Sequence, residues 1–196
     1  MLEQTRTRIT AEEYFQLPET NLPIELIDGE IFQMPTPSPK HQDVILNAAI
    51  LFRQRVKERG GRVFVAPLDV VFDDGNIAQP DVMWLAPDSR CQVTEKRLVG
   101  APDFIAEVLS PSSVSHDRRT KFRLYQQHGV REYWVIDPQA QLIDVFTLVE
   151  GRFQLIGIYG ADEVFQSPLL GEIAVREIFP AEAPQTPSDE APSDEA

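Results

Sequence analysis

Hydrophobic and polar positions along the chain switch repeatedly between a helical period and a period of two. "ITAEEYFQLPE" predicts a short helix, because Thr10 can cap it and Glu13, three positions on, completes a capping box. "PIELIDGEIFQMP" then alternates around Asp28-Gly29, the dipeptide that favours two-residue hairpin turns. Beyond the Pro-rich "MPTPSPK", the segment "HQDVILNAAILFRQRVKERGG" places Val44, Ala48, Leu51 and Val56 near one helical stripe and stops at Gly60-Gly61. Three strands are predicted next, in "RVFVAPLDVVF", "PDVMWLAP" and "PDFIAEVLS". "SHDRRTKFRLYQQHG" predicts a helix inserted between strands, with Ser115 as N-cap, Asp117 in the first turn and Gly129 as stop. "REYWVIDP", "QLIDVFTLVE" and "GRFQLIGIYG" return to strands, with turns at Asp137-Pro138 and Glu150-Gly151. This order predicts a mixed α/β (α+β) fold, a mixed β-sheet core flanked by helices.

Composition bounds that picture. A chain of 196 residues with 42% hydrophobic content can bury one good core, so residues 1–180 are expected to form a single domain. Residues 181–196 end in the tandem "PSDEAPSDEA", which reads as a disordered acidic tail. The net charge of -13 argues against a general polyanion binder, because affinity for nucleic acid rests largely on Lys and Arg neutralising phosphates. Without the five acids of the tail the balance is still -8. The single cysteine, Cys91, can form neither an internal disulfide nor a cysteine-rich zinc site. No apolar run approaches the roughly 20 residues that span a bilayer, and the N-terminus lacks an apolar signal core, so a soluble, cytoplasmic protein is expected, with no membrane partner.

The chemistry gathers around an acid in an apolar strand. In "PDFIAEVLS", Asp103, Ile105, Glu107 and Leu109 share one face while Phe104, Ala106 and Val108 share the other. An ionised Glu107 among apolar neighbours is costly unless it meets a metal, a cation or several donors. Asp103 is four residues away on the same strand, roughly 13 Å at about 3.3 Å per residue, too far to share one ion. Asp81 begins a different strand that could lie beside Glu107, so Asp81 and Glu107 form the expected pair. Two such carboxylates suit Mg²⁺ or Mn²⁺, which can activate water and stabilise charge on a phosphate.

A lysine two positions after the second acid would share its face, but that position is Leu109. Lys121 is the natural substitute, since Asp117, Lys121 and Tyr125 fall on one helical stripe. The bland alternative is a surface lysine paired with Asp117. Arg118, Arg119 and Arg123 add a basic surface, and Arg53, Arg55, Lys57, Arg59 and Arg62 add another. His41 is expected to be a solvated helix-start residue; His116 and His128 flank the second helix, and Tyr133 and Trp134 are expected in the core.

"PIELIDGEI", "KHQDVI", "QPDVMWLAP", "PDFIAEVLSPSS", "DRRTKFRLYQQHGVREYWVIDP" and "SPLLGEIAV" occur in order between about Ile9 and Phe179, and in them the chain resembles the Uma-two family of restriction-endonuclease-like proteins, abundant in cyanobacteria. That family is placed in the PD-(D/E)xK nuclease-like superfamily. The resemblance implies a restriction-endonuclease-like mixed sheet, a divalent metal and hydrolysis of phosphodiester bonds in DNA. Position by position, it makes Asp81 the aspartate of the Pro-Asp motif, Glu107 the second acid, Lys121 the lysine moved onto the helix, and Glu25 an auxiliary acid. It further implies a homodimer, two sites addressing two strands. Two other readings stay open: a noncatalytic nucleic-acid or protein binding module on a nuclease-like fold, and hydrolysis of a small phosphate ester, which would need a closed pocket.

Overall fold

Capping chemistry sets the first helix. The computed structural model describes residues 8–18, 22–34, 36–110 and 117–179. Ser115, His116, the Asp117 side chain and the 181–196 tail lie outside the described residues. Helix α1 (Ala11–Phe15) starts at Thr10, whose hydroxyl accepts from the Glu13 N–H while the Glu13 carboxylate accepts from the Thr10 N–H. Strands β1 (Ile24–Ile27) and β2 (Glu30–Gln33) pair antiparallel across Asp28 and Gly29, both at positive φ (51° and 77°), as the expected tight turn requires. Helix α2 (Pro39–Arg59) is capped by Ser38, has Pro at its first position and buries Val44, Ile45, Ala48, Leu51 and Phe52.

"RVFVAPLDVVF" is two strands rather than one. β3 (Arg62–Val65) and β4 (Val70–Asp73) are split at Ala66-Pro67, where a residue without an N–H interrupts the ladder, and they join different sheets. β5 (Asn76–Ala78) and β6 (Val82–Leu85) follow, then the two-residue strands β7 (Gln92–Val93) and β8 (Leu98–Val99), then β9 (Phe104–Val108). The predicted second helix is a π-helical turn over Asp117–Lys121 continued by a short α3 (Phe122–Gln127). β10 (Glu132–Asp137), β11 (Leu142–Val149) and β12 (Arg152–Gly160) match the predicted strands, and a hairpin of β13 (Val164–Ser167) and β14 (Gly171–Ala174) closes the described chain.

Two six-stranded sheets result, ordered β2-β1-β5-β4-β8-β7 and β12-β11-β10-β9-β6-β3. The second sheet is mixed: β9 and β10 run parallel, their connection carrying the π turn and α3, while β6 and β9 run antiparallel. Alternation along β9 sends Phe104, Ala106 and Val108 into a core with α2 and the β13–β14 hairpin. Ile105 and Leu109 enter a different core, with Leu124 and Tyr125 of α3 and with Val70 and Ala78 of the first sheet. Glu107 shares that second face. Among the described residues no helix is long and apolar enough to cross a membrane.

Candidate active site

Strand register brings the two predicted acids together. Val82 lies opposite Ala106 in the antiparallel β6–β9 pair, so Asp81, one residue before β6, stands across from Glu107. Asp81 Oδ2 accepts from the Val108 N–H at 2.7 Å, which fixes one oxygen of that carboxylate against β9. Glu25 arrives from the first sheet, on β1, where its Oε1 accepts from the Gln79 N–H at 2.9 Å. The hairpin glutamate is thus 1% exposed rather than a surface residue.

Lys121 closes the group. As the last residue of the π turn it is 2% exposed, with its ammonium 3.1 Å from Glu25 Oε1 and 3.2 Å from Glu107 Oε1. One helical turn on, the Tyr125 hydroxyl donates to the same Glu107 oxygen at 2.5 Å. Burial first, and then the charges of Glu107 and Glu25, push the Tyr125 phenol well above its usual range, so it remains a donor. The stripe through Lys121 and Tyr125 therefore faces Glu107. Two buried carboxylates share one buried ammonium, an arrangement tolerated only while the partners stay in place.

His41 departs from expectation. It is buried, and its Nε2 lies 3.5 Å from Asp81 Oδ2. A signal was available: the buried stripe of α2 through Val44, Ile45 and Ala48, extended back by one turn, reaches His41. Tyr125 was visible only as a stripe member, with no sign that its hydroxyl would meet Glu107.

Other candidates serve the framework. Asp103 accepts from the Ala86 N–H and lies 3.3 Å from the Arg131 guanidinium, away from the pair. His128 bridges the Leu124 carbonyl and Asp73. Tyr133 and Trp134 are fully buried. Of the basic residues on α2, Arg55 donates to the Glu172 carbonyl, and a Cβ at Gly171 would stand 2.5 Å from Arg59 Nη2. Arg55 thus ties α2 to the β13–β14 hairpin.

Glu25, His41, Asp81, Glu107 and Lys121 line one cavity of about 550 Å³. Its donors fit a hard divalent cation. Asp81 and Glu107 present carboxylate oxygens from opposed positions, and Glu25 Oε2 is buried in the cavity wall with no hydrogen-bond partner. Among the described residues no cluster of three His, Cys, Asp or Glu side chains could enclose an ion. Asp81 and Glu107 are the residues that could hold a hydrated hard cation there.

The fold defines the class. A crystal structure described as "a putative nuclease belonging to DUF820 from Anabaena variabilis" superposes with a TM-score of 0.73 at 24% identity, covering 87% of this chain and 97% of that one. The two share one fold, here two six-stranded sheets with few helices. Residues 11–177 match the model of the Uma2 family, described as "Putative restriction endonuclease", and the chain belongs to that family. Two proteins of Synechocystis are similar along most of their length: "Uncharacterized protein sll1609", 28% identical over 80% of this chain and 90% of its own, and "Uncharacterized protein slr1290", 27% identical over 84% and 87%.

Proposed function

We propose that this protein is a metal-dependent endonuclease that hydrolyses phosphodiester bonds in DNA, with Mg²⁺ or Mn²⁺ held by Asp81 and Glu107. One observation carries the reading: two carboxylates from adjacent strands and a buried lysine line the same cavity. Family membership supports it. Bound there, the cation would supply an activated water and neutralise charge building on the phosphate. Asp81, with Oδ2 tied to the Val108 N–H, presents the remainder of its carboxylate in a fixed direction. Tyr125 and Lys121 hold Glu107 through Oε1. Lys121 gives the site its own positive charge beside the phosphate, and Glu25 keeps that ammonium in place while adding an auxiliary acid.

A cytoplasmic homodimer completes the proposal. Light scattering of the purified protein tests the dimer. Plasmid DNA incubated with the protein and Mn²⁺ tests the chemistry: nicking should require the metal, vanish with a chelator, and be lost in Asp81→Ala and Glu107→Ala. Nicking that survives both substitutions would end this reading. One feature favours the noncatalytic alternative, namely that the Lys121 ammonium already neutralises part of the charge of Glu25 and Glu107. Calorimetry separates the two readings, because that alternative predicts no heat of Mg²⁺ binding.

A further inference from the structure

The cavity is more than an acid cluster. Most of its remaining wall is apolar, including Pro23, Met34, Pro37 and Pro67, beside Gln79, Ser110 and the exposed amide of Gln42. We propose that this apolar part seats the base of one unstacked nucleotide beside the scissile phosphate, so that the preferred substrate is single-stranded DNA, or a frayed end, rather than intact duplex. The proposal rests on the nuclease reading for its chemistry but not for its binding step.

Three observations converge. First, a volume of about 550 Å³ falls in the range of pockets that enclose a small ligand, roughly 300–1,000 Å³, whereas a phosphate alone would leave the apolar wall uncovered. Bases inside a duplex are stacked and paired, so only a displaced or single-stranded nucleotide can present a flat face to such a recess. Second, the chemistry of the wall suits a heteroaromatic ring. Met34 is polarisable and adaptable, proline rings offer flat apolar surfaces, and the Gln42 amide can both donate to and accept from a base edge.

Third, the electrostatics disfavour a rod of phosphates. Glu25, Asp81 and Glu107 line the cavity, and Lys121 is the only lysine or arginine lining it among the described residues. Duplex binders commonly neutralise about 6–10 phosphates with basic side chains. Here Arg55 is engaged with the Glu172 carbonyl of β14, and the whole chain carries -13. With one cation lining the cavity among the described residues, burial of a base against the apolar wall contributes affinity that does not depend on charge.

The test uses the full-length protein in Mg²⁺ and two probes, thymidine 5′-monophosphate and inorganic phosphate, titrated by calorimetry. The monophosphate has no diester bond to lose, so binding is read apart from activity. It should bind at least about tenfold more tightly than phosphate, the contribution expected from burying the apolar faces of one base. Met34→Trp and Pro37→Trp, the second at an exposed position, should fill the cavity and remove that preference while leaving phosphate binding intact. Circular dichroism checks that both variants fold. A single-stranded oligonucleotide should likewise bind more tightly than a duplex of the same sequence. Equal affinity for nucleotide and phosphate, an unchanged preference in both tryptophan variants, or tighter binding of the duplex would overturn the proposal. Absence of cleavage on any DNA would instead remove the nuclease reading, and the nucleotide titration would still decide this one.

Discussion

Glu107 and Glu132 lie on neighbouring parallel strands, and both are buried, at 3% and 0% exposure. Their surroundings differ in kind. Glu132 accepts from Trp134 Nε1 at 2.7 Å and, through its other oxygen, from the Ser167 hydroxyl and the Leu169 N–H, each at 2.9 Å. All three donors are neutral, and two of them lie on or just after β13, so the carboxyl group anchors the β13–β14 hairpin to the main sheet. Burial raises its pKa despite those bonds. Glu107 meets a buried ammonium and a phenol at one oxygen and lines a cavity with two further acids. A buried acid surrounded by neutral donors is architecture; one held against a fixed cation beside open space is equipment for binding charge.

The comparison breaks most severely at Lys121. Lys121→Met leaves Glu25 and Glu107 buried with no cation between them, which is expected to lower stability by about 3–5 kcal/mol. Urea denaturation reads the loss. Millimolar Mg²⁺ should recover part of it, because a cation that binds only the folded state stabilises by mass action. A variant as stable as the parent would show that the acids do not depend on this ammonium.

Next in size is a contrast in activity. Glu107→Gln should slow metal-dependent DNA cleavage by at least about 10²-fold, equivalent to roughly 3 kcal/mol of transition-state stabilisation. Glu132→Gln, outside the cavity, should leave cleavage unchanged. Equal losses in the two variants would mean that Glu107 acts through the fold alone.

Glu132→Gln should instead cost about 1–3 kcal/mol of stability, because a carboxamide turns a donor toward the hydroxyl, amide or indole N–H that Glu132 now accepts from. The pH dependence follows in sign. Folded Glu132 keeps its proton to higher pH than the ordinary value of 4.5, so its contribution is fully present below about 4.5 and declines as pH rises through the raised folded value. The glutamine variant does not titrate there. Its deficit in Tm should therefore be largest at the acidic end and shrink as pH rises, and a deficit that grows with pH would contradict the assignment.

These two acids also show what could be read from the chain alone. Glu107 stood out because alternation set it between Ile105 and Leu109, and Asp81 followed because a Pro-Asp pair opened another strand. Glu132 carried the same information in "REYWVIDP" and gave no signal, since two of its three donors come from Ser167 and Leu169, more than thirty positions away. His41 looked like a solvated helix start until α2 packed its first turn toward Asp81. Only the longer strands were legible, and their order in the sheets was not. β7 and β8 have two residues each and β5 has three, too few to display a period, and the split between β3 and β4 depended on the partners of Val65 and Val70 in different sheets.

The smallest expected effect lies at the oxygen that Tyr125 shares with Lys121. Tyr125→Phe removes one donor from Glu107 Oε1 while the ion pair remains, so stability should fall by about 1 kcal/mol. Because the folded phenol holds its proton well above the ordinary 10.0, its contribution is complete below pH 10 and is lost as pH rises beyond that value. The difference in Tm between parent and variant should accordingly stay constant from pH 6 to 9 and narrow only in stronger alkali. Narrowing near neutrality would show that the hydroxyl does not donate to a buried carboxylate.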